Sequence, residues 1–481
     1  MTVRRVLVVG GGITGLVAAH RLRVLLGERA EIVLVEQSDR LGGKLRTVEL
    51  AGAAYDVGAE AFLLRRPEVA DLVAELGLSD LVVSPALVAS RVRASGRTVP
   101  VPPRTLMGVP AAPEALREVL SPEALRRVAN EPELPPIDLA GADVSVGRLL
   151  RGRLGDEVVD RLVDPLLGGV YAGRADNLGL RATMPQLAAA LDRGAGSLVR
   201  ATSDLVPPPD PRLPRPPVFG ALRGGFQVLV DRLASASRAR VRLGQPVRSL
   251  LRTERGWRVE IGSAPRPEAM DVDGVVLAVP APAARRLLAD VAPAAAAAYG
   301  RVEVASMVVV AMALPADTRL PESSGVLVAE GERWADGTPF TAKAFTFSSR
   351  KWGHLGDRVL VRGSVGRFGE AAALRRDDGD LVRAVRADLA ELTGVAAEPL
   401  DVAVVRWGGG LPQYGVDHVD VVAAIEETVS HQPGLAVAGA TLHGVGLPAC
   451  VATADAAARR VAAHLSTSAA PASGTMGPWP A

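Results

Sequence analysis

Six residues near the amino terminus, Gly10-Gly11-Gly12-Ile13-Thr14-Gly15, have the spacing that brings peptide backbone against a diphosphate. Gly10 permits a tight turn, Gly12 removes a side chain where the pyrophosphate would approach, and Gly15 lets a helix pack closely on a strand. A helix starting at Ile13 would add unpaired amide donors and the positive end of its dipole. Glu36 lies 21 residues beyond Gly15, where a carboxylate can accept hydrogen bonds from ribose hydroxyls and would repel an adenosine 2′-phosphate. Next comes Arg40-Leu41-Gly42-Gly43-Lys44, a second glycine pair followed by a cation. The chain has only three lysines, Lys44, Lys343 and Lys351, so a lysine beside a glycine pair is informative where an arginine is not. More backbone and one ammonium near phosphate favour FAD over a nicotinamide cofactor. A second GxGxxG for NAD(P)H is absent from the sequence.

These residues need a strand, a turn and a helix to hold them. Val6 to Val9 is an unbroken apolar run, as a parallel strand covered on both faces requires. Helical spacing of Leu16, Val17, Ala19 and Leu22 runs from Ile13 to about Leu26, where Gly27 can stop it, and Glu31 to Glu36 reads as a second strand. This is the opening unit of a doubly wound dinucleotide-binding domain. Pro67 to Leu76 reads as a helix closed by Gly77, and Ser145 to Leu167 as helices broken near Gly155 and Pro165. The proline-rich stretches 100–113 and 207–217 resist regular structure, and the second marks a seam near Phe219. A helix to about Ala236 and strands at Val241 to Leu251, Trp257 to Ile261 and Val275 to Val279 return the chain to the first domain. Alternation from Ser306 to about Val365 predicts an antiparallel sheet with one covered face, and a helix follows at Asp380 to Leu392. A strand at Leu435 to Ala438, a glycine-rich turn and an alanine-rich helix to about His464 close the fold. The expected fold class is α/β. A Rossmann-like cofactor domain (1–64, 219–300 and 396–465) joins a mixed antiparallel-sheet substrate domain (65–90 and 301–395), a mainly helical insertion (91–218) and a disordered tail (466–481).

Composition bounds what else the chain can be. Its 481 residues, 48% hydrophobic and 22% charged, suit a multi-domain globular protein. A net charge of +2 with scattered basic residues gives no footprint for nucleic acid. Cys450 is the one cysteine, so an internal disulfide and cysteine-clustered metal sites are excluded, and a reducing, cytoplasmic setting is expected. The six histidines lack ligand-like spacing, so no metal is expected. No apolar run of membrane-spanning length is free of charge, and the glycines argue against reading the amino terminus as a signal peptide.

Over most of its length the chain resembles the flavin amine oxidase superfamily, which carries such a glycine pair just after the second strand. Four later segments narrow the resemblance to the protoporphyrinogen and coproporphyrinogen oxidase family, to about His464. They are Asp56-Val57-Gly58-Ala59-Glu60-Ala61-Phe62, Asn177-Leu178-Gly179-Leu180-Arg181-Ala182-Thr183-Met184-Pro185, Arg406-Trp407 with Leu411-Pro412-Gln413-Tyr414, and Ala438-Gly439-Ala440 with Gly444-Val445-Gly446-Leu447-Pro448. The chain departs from the family in reading Gly410-Leu411 where members often have alanine-leucine, and Asp417-His418 where a glycine usually precedes the histidine.

The resemblance implies non-covalently bound FAD and a porphyrinogen substrate, oxidised in three two-electron steps with molecular oxygen as acceptor and hydrogen peroxide released. It places Gly58 and Ala59 against the flavin or its ribityl chain, Val247 near the adenine, and Trp407, Ala440, Val445, Gly446 and Leu447 at the flavin end. The flavin does the redox work, so no catalytic side chain is assigned. Arginines at the rim of an apolar cavity would bind the substrate's propionates, and Arg65, Arg66 and Arg91 are the expected ones. Contact with neighbouring enzymes of haem synthesis is a further implication. The composition resembles the bacterial branch acting on coproporphyrinogen III. The alternatives are protoporphyrinogen IX, the reactions of amine oxidases or carotenoid desaturases, and a non-catalytic chaperone of prenylated GTPases that shares the fold.

Overall fold

The structure is a computed structural model and describes residues 3–208, 210, 212 and 216–467. The apolar run at the amino terminus becomes the strand Arg4–Val9, central in a five-stranded parallel sheet. Its neighbours are Ala30–Val35 on one side and Gly274–Leu277 on the other, with Val8 opposite both Leu34 and Val276. Arg240–Arg242 and Leu435–Val437 complete the edges. Alternation sends Val6 and Val8 into one core and Leu7 and Val9 into another. The first core lies under the helices Ile13–Leu26, Gln227–Ser237 and Leu447–Thr467. The second lies under Ala281–Leu288, Pro293–Tyr299, His418–Ser430 and a three-stranded antiparallel sheet. Burial on both faces is why these strands read as continuous apolar runs.

The second sheet has seven strands in the order Asp401–Pro412, Val304–Leu314, Val359–Val365, Ala342–Phe347, Gly325–Val328, Arg91–Ala94, Arg97–Pro100. One face, with Val308, Val310 and Phe345, is covered by the helix Asp378–Thr393. The opposite face, with Val309, Ala311 and Val405, packs on Tyr55 and Val57 of the first unit.

Several expectations need correction. Asp401–Pro412 pairs along Val304–Leu314, with Val309 opposite Val405, so 401–412 belongs to the second sheet and not to the cofactor domain. Val304–Leu314 is buried along most of its length, and a central strand needs a partner on each edge. Arg91–Pro100 also joins this sheet as a hairpin rather than opening the helical insertion. Val241 to Leu251 splits into two strands, Arg240–Arg242 and Val247–Thr253, because Gly244 turns the chain at φ +65° and Pro246 follows. Glu268–Val272 is a strand with no counterpart in the sequence reading.

In the helical unit the break at Gly155 is present, at φ +92°, whereas at Pro165 the helical run from Asp156 to Tyr171 continues, with a π-helical stretch, Val159–Val163, just before the proline. Its missing N–H falls where the chain passes from the wider π turn back to α-helix, so the helix absorbs the proline instead of ending at it. The closing helix continues past His464 to Thr467, and 468–481, most of the expected tail, lies outside the described residues. Among the described residues no helix is long and apolar enough to cross a membrane.

Candidate functional site

A cavity of about 330 Å³ opens at the carboxyl ends of the parallel strands, beside Val9, Val35 and Ala278, and extends to the closing turn and helix. Its near end is made of backbone. Gly10 turns the chain at φ +105° and donates its amide to Val35 O at 2.8 Å. A Cβ on Gly10 would stand 2.4 Å from Ala278 O, and one on Gly15 would stand 1.8 Å from Gly10 O. The second glycine pair is drawn alongside by a bond from Gly42 N to Gly11 O of 2.8 Å, which leaves Gly12 and Gly43 facing each other without side chains. Arg40, to which the sequence gave no role, holds this turn from behind: its guanidinium donates to the carbonyls of Leu41, Gly43 and Leu45 at 3.0, 2.6 and 3.2 Å. An arginine next to a glycine pair was the available signal, masked by the abundance of arginine.

Two charged groups face this end. Glu36 lines the cavity and accepts Gly11 N at 2.6 Å on one carboxylate oxygen, and the Ser38 amide and hydroxyl at 2.8 Å on the other. Lys44 is enclosed by protein yet keeps much of its surface open, because that surface faces the cavity. Burial pushes its ammonium below the usual lysine value, and no carboxylate partners it among the described residues. An enclosed cation without a counter-ion, beside a turn in which Gly10, Gly15 and Gly42 admit no Cβ and Gly12 presents bare backbone to the cavity, suits a diphosphate.

Of the residues expected to bind the cofactor, Gly10, Gly12, Ile13, Thr14, Glu36, Gly43, Lys44, Ala59, Val247, Ala440, Val445 and Leu447 line this one cavity. Gly11, Gly15, Gly58, Trp407 and Gly446 do not; they act one layer back. Gly11 orients Glu36 and Gly15 admits the helix onto the strand. A Cβ on Gly58 would stand 2.0 Å from Lys44 O, and Trp407 Nε1 donates to Val57 O at 3.1 Å. Gly446 O accepts Cys450 N at 3.2 Å in the first turn of the closing helix. Gln245 and Arg286 also line the cavity without having been singled out, and Arg286 donates to Val247 O at 3.0 Å. Cys450 is a buried thiol on the wall, near Thr14 and Lys44.

Farther along, Ala59 and the turn residues Gly439, Ala440, Thr441 and Val445 line the cavity, and Asp56, Val57 and Gly58 stand behind Ala59. Tyr414 holds the turn through its hydroxyl, which donates to Ala440 O at 2.5 Å, and its ring stacks on His418 with centroids 3.9 Å apart. Gln413 ties the same strand end to the helical unit by a 2.8 Å bond to Tyr171 O. His443, near the turn, pairs instead with Glu426 at 2.7 Å.

The structure does not bring the three expected propionate ligands to the cavity. Arg65 and Arg66 are exposed, and Arg66 is engaged by Glu68. Arg91 donates to Thr98 O at 2.9 Å across its own hairpin, so its guanidinium serves the sheet edge. Among the described residues no group of three His, Cys, Asp or Glu side chains could hold a metal ion.

A glycine-built diphosphate cradle on a parallel sheet, joined to a large antiparallel sheet, defines the class of two-domain flavoprotein oxidoreductases. Within that class, the chain belongs to the family described as flavin containing amine oxidoreductase, whose model matches residues 13–462. It is 46% identical over 464 residues to a Mycobacterium tuberculosis protein named coproporphyrinogen III oxidase, spanning 96% of this chain and 98% of the relative. A crystal structure from Exiguobacterium, of a protein provisionally named protoporphyrinogen oxidase, superposes with a TM-score of 0.84 at 31% identity, covering 96% of this chain and 99% of that one. Cyclohexylamine oxidase from Brevibacterium oxydans shares the fold, with a TM-score of 0.69 at 19% identity over 97% of this chain and 100% of its own.

Proposed function

We propose that the chain is an FAD-dependent oxidase that takes six electrons from coproporphyrinogen III to give coproporphyrin III, with molecular oxygen as acceptor and hydrogen peroxide as the second product. The observation that carries this reading is the 46% identity to the M. tuberculosis protein along nearly the whole of both chains. Bound FAD supplies the two-electron acceptor for hydrogen leaving the macrocycle. The chain's own part is to hold and exclude. Gly10, Gly12 and Gly43 leave backbone free to approach the diphosphate, Lys44 supplies its counter-charge, and Glu36 accepts from the ribose. Leu447, at the amino end of the helix Leu447–Thr467, lines the cavity, so the positive pole of that helix would stabilise negative charge on a flavin held there. Protons on pyrrole nitrogens can leave to solvent, so the reading assigns no side-chain base.

Aerobic incubation of the FAD-loaded protein with coproporphyrinogen III and, separately, with protoporphyrinogen IX tests it, with porphyrin fluorescence followed against an enzyme-free control. Faster coproporphyrin formation is expected. Preference for protoporphyrinogen IX would transfer the reading to the second substrate. A colourless protein that takes up no FAD would leave only the non-catalytic reading of the fold.

A further inference from the structure

Three consecutive carbonyls just before Ala59, those of Asp56, Val57 and Gly58, each accept from a side chain of the seven-stranded sheet, and Ala59 is the residue of this strap that lines the cavity. Arg362, on Val359–Val365, reaches Gly58 O at 3.0 Å and Asp56 O at 3.4 Å through Nη1, and Trp407 takes the carbonyl between them. The other side of the strap is fixed by backbone: Val57 N donates to Arg46 O at 2.9 Å and Ala59 N to Lys44 O at 3.1 Å. Glu60 aims the guanidinium, with Oε2 at 3.1 Å from Arg362 Nη2 and its other oxygen bound by Lys351 Nζ. Lys351 also lies over the Trp352 ring, 5.1 Å from its centroid. Burial alone would raise the Glu60 carboxyl, but Arg362 and Lys351 overcome it and hold the group well below the usual carboxylate range. This half-buried trio joins the loop after Asp56, the short helix Ser348–Lys351 and the strand Val359–Val365; it is costly to desolvate unless its geometry is well satisfied, and no stability argument requires a guanidinium here rather than an apolar side chain.

We propose that Arg362, oriented by Glu60 and Lys351, is a positioning residue that fixes the Asp56–Ala59 backbone as the rigid wall for the flavin end of the cofactor. The inference builds on the flavin reading above but not on the identity of the substrate. Ala59 lines the cavity directly, and the backbone bonds of Val57 N to Arg46 O and Ala59 N to Lys44 O leave the opposite, carbonyl side of the strap to Arg362 and Trp407. With the guanidinium removed, two carbonyls lose their donor while the diphosphate cradle is untouched.

The test compares the visible absorption and fluorescence of bound FAD, and its dissociation constant, in the wild-type holoenzyme and in R362Q, R362K and W407F. In R362Q the FAD dissociation constant is expected to stay within about threefold, because the cradle holds the diphosphate. The flavin band should lose structure, flavin fluorescence should rise, and flavin reduction by porphyrinogen should slow about tenfold. R362K should recover part of each change, since an ammonium can still meet Glu60 and one carbonyl. If R362Q does not fold, W407F keeps an aromatic ring, removes only the donor to Val57 O, and should change the spectrum in the same direction. Wild-type spectra in the folded variants, or weaker FAD binding with an unaltered spectrum of the bound fraction, would overturn the proposal. The spectra need no porphyrinogen, so a wild-type protein inert toward coproporphyrinogen III would sink the substrate reading alone, and one that takes up no FAD would sink both.

Discussion

The two ends of the cavity are built from different materials. The diphosphate end is mostly backbone: glycines 10, 15, 42 and 43 pack peptide against peptide, and the side chains there, Glu36, Arg40 and Lys44, come from the same short stretch of chain. The flavin end is side chain: Arg362, Trp407 and Tyr414 donate to carbonyls from segments up to 350 residues away, and Glu60 and Lys351 orient Arg362. A backbone cradle fails by steric addition, since one Cβ has nowhere to go. A side-chain clamp fails by polar deletion, since a carbonyl is left without its donor. The same substitution size should therefore have unequal consequences at the two ends.

The sharpest way to break that contrast is Gly15→Val. Its Cβ would fall 1.8 Å from Gly10 O, so the helix must move off the strand, and FAD affinity should drop at least about 100-fold, read by titrating the apoprotein with FAD. Near-normal affinity would mean that the cradle is not where the diphosphate binds. Glu36→Ala comes next. It removes the acceptor aimed at the ribose and also releases Gly11 N, and about tenfold weaker FAD binding is expected by the same titration.

At the other end, Tyr414→Phe deletes only the hydroxyl on Ala440 O, leaving the ring on His418. Turnover should fall about threefold with FAD affinity unchanged, as steady-state kinetics and FAD titration would show. A larger loss of FAD than in Glu36→Ala would reverse the assignment of the two ends.

The smallest effect concerns pH. The Glu60 carboxyl, ordinarily near 4.5, is held at about 2 in the folded chain. Its contribution is therefore complete above its unfolded value and is lost as pH falls toward about 2. Thermal melts should show E60Q less stable than wild type at neutral pH, with the gap narrowing between pH 5 and pH 3. The neighbouring Asp56 has the opposite sign. Burial raises it to about 6, with a smaller push from the Glu60 charge, so its contribution declines as pH rises through that value, and E60Q should lower Asp56 as well as remove Glu60.

This division also explains what could be read in the sequence. Glycine spacing reports backbone approach directly, and with Glu36 and Lys44 it picked out residues that line one end of the cavity and the strand-turn-helix unit around them. The strand Asp401–Pro412 was misplaced because its alternation does not say which sheet it joins; only its register against Val304–Leu314 does. Arg362 was invisible among so many arginines, and the same abundance let Arg65, Arg66 and Arg91 stand out only by their neighbours, which the structure shows bound elsewhere or exposed. Lys351 was conspicuous as one of three lysines, but its partner Glu60 lies 291 residues away, beyond the reach of any local pattern.

The most direct test of the central claim is to mix the FAD-loaded protein with coproporphyrinogen III without oxygen and follow the yellow flavin band. The account predicts that the band bleaches and that, once air is admitted, colour returns while coproporphyrin and hydrogen peroxide accumulate together. A band that stays yellow in the presence of substrate, with porphyrin forming no faster than in enzyme-free buffer, would contradict it.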